Sequence, residues 1–157
     1  MASSIGTFKT AWKARLAADA TLTAAGVYVS LGNPYPGGMR VKDLVMVGDA
    51  TPEPGQEPVG IGSDFREEKY EIEMVVSCIR PAQELYSDIE AAAFVIFNAV
   101  EASLIAWRSV ASPYGGLNGW AYISNVGTRE AFTRDADGKV IERECGIIFA
   151  VMVTARI

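Results

Sequence analysis

The chain has 157 residues, enough for one domain that buries a core of its own without disulfide staples. Half of the residues are apolar and 21% are charged, which excludes a disordered chain, and a net charge of −5 opposes general affinity for phosphate backbones. Histidine is absent, which removes the usual general base, the usual partner of a nucleophilic serine and the commonest transition-metal ligand.

The first predicted element is a helix from Ile5 to Ala18, with Ser3 or Ser4 placed to cap it. Ile5, Phe8, Trp12 and Leu16 share one stripe and Lys9 and Lys13 lie off it. A basic amphipathic helix of this kind suits a membrane surface or a transit segment. The favoured reading is a helix docked on a sheet. Asp19 to Thr21 breaks the pattern, and Leu22 to Ala25 adds a short turn that ends at Gly26. Val27 to Leu31 reads as a short strand, stopped by the Gly/Pro-rich run from Gly32 to Gly38. Asp43 to Gly48 is the second strand. Residues 49–64 carry three prolines, three glycines and only acidic charge, including Glu53 and Glu57. They read as a mobile acidic loop between two strands: a ligand lid, a partner arm or plain disorder.

The third strand runs from Lys69 to Ile79. Tyr70, Ile72, Met74, Val76 and Cys78 point to one face. The other face begins with Lys69, Glu71 and Glu73 and turns apolar at Val75 and Ile79. After Pro81 the longest helical pattern extends from Ala82 to Trp107, with Glu84, Asp88 and Glu90 in its first turns. Leu85, Ile89, Ala92, Ile96, Val100 and Trp107 form one stripe. Phe94 and Ile105 lie nearly opposite it, with Val95 to one side and Phe97 to the other. A helix that is apolar all round needs burial on a second side, either by more of its own chain or by another subunit. Phe94, Val95, Phe97 and Ile105 are therefore the candidate subunit interface.

Ser112 to Gly116 is a break, and Trp120 to Ser124 is the fourth strand, extended through Val126 and Arg129 to Arg134. Asp135-Ala136-Asp137-Gly138 is a hairpin signal. The last strand, Val140 to Ala155, has a polar start at Glu142 and Glu144 and an apolar remainder, like the third. The two are expected side by side in an antiparallel sheet. The fold class is α+β: a single domain over residues 1–157, with a mostly antiparallel or mixed sheet of about four or five strands flanked by an N-terminal and a long central helix.

Catalytic chemistry finds little support. Cys78 and Cys145 sit in strand-like apolar runs and read as small buried hydrophobes. The pairs Glu67/Glu68, Glu71/Glu73 and Glu142/Glu144 suit an acid/base dyad or a divalent cation only in principle, because solvated charge is the default on exposed strands. Asp135 to Gly138 begins like a calcium loop but lacks the closing glutamate. No Walker lysine or dinucleotide fingerprint accompanies the glycines, and no basic aromatic stripe suggests reading of nucleic acid. The expectation is a non-enzyme without cofactor or metal. No apolar run reaches the roughly 20 residues that span a bilayer, and no secretory signal is expected.

The order of elements resembles the tail terminator (tail-completion) proteins of long-tailed bacteriophages. The likeness rests on the helix ending Leu16-Ala17-Ala18-Asp19-Ala20-Thr21-Leu22, the Val27-Tyr28-Val29 strand, the Gly/Pro-rich loop and the Asp43 to Gly48 strand. It continues with Arg66-Glu67-Glu68-Lys69-Tyr70-Glu71-Ile72 leading into the long helix and with the terminal strand closing at Val153-Thr154-Ala155-Arg156-Ile157. The resemblance is one of layout, without a diagnostic motif. It implies a virion protein, made in the host cytoplasm, that forms a ring (typically a hexamer), caps the tail tube and meets the head connector, while DNA passes through the channel unread. Its implied partners are further copies of itself, the tail tube protein and the neck protein, with no membrane. Glu53, Glu57, Glu67, Glu68, Glu71 and Glu73 are candidates for an acidic channel or partner surface. Another head–tail connector component is the alternative role. A small-molecule-binding or carboxylate-dependent hydrolytic domain is the alternative class.

Overall fold

The computed structural model describes residues 3–33, 41–53, 67–110 and 112–156. Its elements are α1 (Ser4–Ala18), α2 (Ala20–Ala24), β1 (Tyr28–Leu31), β2 (Asp43–Pro52), β3 (Glu67–Pro81), α3 (Tyr86–Trp107), β4 (Asn118–Arg134) and β5 (Val140–Arg156). The strands form one mixed sheet in the order β1-β2-β3-β5-β4. Only β1 and β2 run parallel; β3 and β5 pair antiparallel from Glu67↔Arg156 to Pro81↔Glu142. The α+β single-sheet architecture expected from the sequence is the one observed.

Both long helices lie on one face of the sheet. Phe8, Trp12 and Leu16 of α1 and Ile89, Ile96 and Val100 of α3 meet the alternate residues Tyr70, Ile72, Met74, Val76 and Cys78 of β3 in one core. An aromatic cluster joins the helices. Trp12 and Trp107 stack with centroids 5.4 Å apart, and Phe8 touches Trp107 at 5.5 Å and Tyr114 at 5.8 Å. Tyr114 holds φ 55°, a strained conformation for a non-glycine residue, within a short turn at Pro113–Gly115. Burial of its ring in the cluster offsets that strain. Gly119 is required where β4 meets β5, since a Cβ there would run into the carbonyl oxygen of Thr154.

Polar contacts fix the ends of the elements. Ser3 is the N-cap of α1, its hydroxyl accepting from the Ile5 N–H, and Asp19 caps α2 by accepting from Thr21 and Leu22. Glu68 of β3 reaches under the start of α1, where its carboxylate accepts from the Ser4 N–H at 2.7 Å and the Ser4 hydroxyl at 2.6 Å. A carboxylate at a helix N-terminus completes orphan backbone donors and faces the positive end of the macrodipole. At the other end of the sheet, Arg80 pairs with Asp43 at 2.7 Å, both side chains largely buried.

Several boundaries differ from the sequence expectation. α3 begins at Tyr86 rather than Ala82, because Pro81 still pairs with Glu142 and residues 82–84 turn. Glu84 therefore precedes the helix and approaches Arg80 at 4.0 Å, and Leu85 is the exposed N-cap. β2 continues to Pro52, which pairs with Tyr70, so the segment expected as a loop from Asp49 starts later. Residues 54–64, Glu57 among them, lie outside the described residues. β4 is one strand of 17 residues, with a bulge after Ser124 where Asn125 has φ 56° and a second register shift between Thr133 and Arg134.

Trp12→Ala should lower unfolding stability by about 3–5 kcal/mol, because it opens the aromatic seam between the helices; the urea midpoint measures this. Glu68→Ala should cost about 1–3 kcal/mol through the lost buried hydrogen bonds. Glu73→Ala, at an exposed site on the opposite face of the same strand, should stay within about 0.5 kcal/mol of the parent in the same titration.

Candidate functional site

Among the described residues, two recesses bring ionisable groups together, and several of these groups already have partners. A recess of about 500 Å³ at the end of the sheet is lined by Lys42, Arg80, Glu84 and Glu142 beside Ile79 and Ile141. Arg80 is held there by Asp43. A second recess of about 250 Å³ lies on the helix-free face, lined by Leu44, Met46, Val75 and Ile148 together with Glu73, Glu144 and Arg129. Glu144 accepts from the Ser77 hydroxyl at 2.9 Å. No group of three His, Cys, Asp or Glu side chains among the described residues is placed to hold a metal ion.

Cys78 and Cys145 are free, buried and opposite one another in the β3–β5 register. Burial, with Asp43 adding to it, pushes the Cys78 thiol up to about 12. The Cys145 thiol is also raised, again by burial first. Such thiols remain protonated near neutral pH and are poor nucleophiles.

The four apolar residues singled out on α3 divide between core and surface. Phe97 packs edge-on against Phe149 at 5.0 Å and is 7% exposed, so it belongs to the monomer core rather than to an outer surface. Phe94 is half-buried against Phe97. Val95 and Ile105 stand 62% and 55% exposed. By length and composition α3 could pass for a membrane-spanning helix, yet its Ile89–Trp107 stripe is sealed against the sheet.

The acidic candidates also separate. Glu68 is the buried cap of α1, which corrects its assignment to a surface. Glu67 bonds Lys69 at 3.5 Å and Arg156 at 3.7 Å. Glu71 and Glu73 are exposed on the helix-free face of β3, and Glu53 extends the same β2–β3 hairpin through a backbone bond to Lys69. The structure thus gathers Glu53, Glu71 and Glu73 at one side of the sheet and places Glu68 at the other.

Sequence reading missed the exposure of β4. Trp120, Tyr122, Val126 and Phe132 are each 47–49% exposed along the free edge of the sheet, and Tyr28 and Leu31 are similarly exposed on the opposite edge strand. The alternation around Trp120 was visible, but which strand stands at an edge follows from topology, not from local pattern.

No family model matches the chain, and no curated protein matches it. Among solved structures, the chain is similar to one described as "Virion of native gene transfer agent (GTA) particle", with a TM-score of 0.56 and 20% identity. The match covers 98% of this chain and 99% of the other, so the likeness is one of the whole fold, end to end.

Proposed function

We propose that this chain is a structural protein of a phage-like virion, acting as a tail terminator: copies form a ring that closes the end of the tail tube and meets the head connector. The observation that carries this reading is the end-to-end likeness of fold to a chain of a gene transfer agent virion particle. The layout of sequence elements supports the same role, and so does the second, outward apolar side of α3 at Val95 and Ile105. In this reading the helix-free face, with Glu71 and Glu73, looks toward the channel. Its carboxylates repel passing phosphates over about a Debye length, so that DNA moves through without being held.

Ile105→Asp tests the outward surface, because Ile105 is 55% exposed and its loss spares the core. The variant should keep its unfolding midpoint within about 0.5 kcal/mol of the parent. In particles produced with this variant as the sole copy, electron microscopy should show heads and tails unjoined or tubes of uneven length. Normal particles in normal yield would overturn the proposed role. Phe94→Asp is the weaker test, because Phe94 also packs on Phe97 and its loss should destabilise the monomer.

A further inference from the structure

The helix layer carries opposite charges on its two outer flanks. α1 holds Lys9, Lys13 and Arg15 with no acid, and α3 holds Asp88, Glu90 and Glu101 with no base. Arg15 is spent inside the layer, donating to the Ser103 carbonyl at 3.0 Å and lying over the Trp107 ring. That contact marks the sides on which the two helices face each other. At 3.6 residues per turn, Lys9 and Lys13 then fall on the side of α1 turned away from α3, towards the β1 edge. By the same spacing Glu90, Phe94, Glu101 and Ile105 form a stripe on the side of α3 turned away from α1, towards the β4 edge. Glu90 accordingly acts on Cys145 of β5 together with Glu130 of β4. Among the described residues, none of Lys9, Lys13, Glu90 and Glu101 has an ion-pair partner.

We infer that the occupant of the Glu90–Ile105 flank of α3 is the Lys9–Lys13 flank of α1 from a second copy of this chain. Two copies related by a simple two-fold through either flank would set like charges against each other. Copies placed head to tail set lysine against glutamate at every contact, and a head-to-tail contact is the kind that generates rings. The same placement brings the two sheet edges towards each other, so that the apolar residues exposed on β1 and β4 lose water together. The inference rests on the proposed ring and names the surfaces that close it.

The test is a charge exchange, read as the concentration at which the purified chain assembles by light scattering. Lys9→Glu with Lys13→Glu in one variant, and Glu90→Lys with Glu101→Lys in a second, should each raise that concentration by about tenfold or more. Mixed in equal amounts, the two variants should assemble near the parent concentration, because each now offers the flank the other lacks. The exposed single changes Lys13→Glu and Glu101→Lys repeat the test with no risk to the fold. If the reversed variants assemble like the parent, or the mixture fails to recover, the flank assignment is overturned and the ring stands. A parent chain that stays monomeric at every concentration, and with tail tubes added, overturns the ring and the assignment with it.

Discussion

The stack of Trp12 on Trp107 is the contact on which the rest depends. It locks α1 and α3 into one layer, with Phe8 and Tyr114 filling the space beneath. Aromatic stacking of this kind adds roughly 0.5–1.5 kcal/mol per pair beyond the area it buries. Its larger consequence is geometric. With the helix layer fixed, the rotation of each helix about its own axis is fixed too, and so is the choice of residues that remain outside.

That rotation decides what α3 can do. Its inner stripe from Ile89 to Trp107 is satisfied by the sheet, and Phe97 reaches sideways to Phe149. What remains is an outer surface with Val95 and Ile105 standing free between carboxylates. With the apolar residues exposed along the β4 edge, they form a surface suited to cover by other chains. The helix-free face has a different character: apolar residues lie there beside the charged groups Glu73, Glu144 and Arg129.

Much of this was legible in the sequence. The period of two in Tyr70 to Cys78 and in Cys145 to Val153 identified the two central strands and their shared profile, and the register pairs them directly. The apolar stripe of α3 was equally plain. The misses have local causes. Pro81 looked like a helix start but is still strand, because β5 supplies Glu142 as its partner. Glu68 looked like surface charge, since nothing in a linear chain shows that Ser4 folds back over it. Spacing puts Phe97 to one side of the stripe and Phe94 nearly opposite it, but only the contact with Phe149 shows that the Phe97 side is core. The exposed edge of β4 depends on sheet order, which no local pattern contains.

The central claim is that one monomer fold presents two unlike flanks that join copies head to tail into a closed ring. Native mass spectrometry of the purified chain, titrated in concentration with and without tail tubes, tests it most directly. The expected result is a monomer giving way to one discrete closed oligomer, with no dimer accumulating as an end point. A population that stops at a symmetric dimer, or that remains monomeric under every condition, would contradict it.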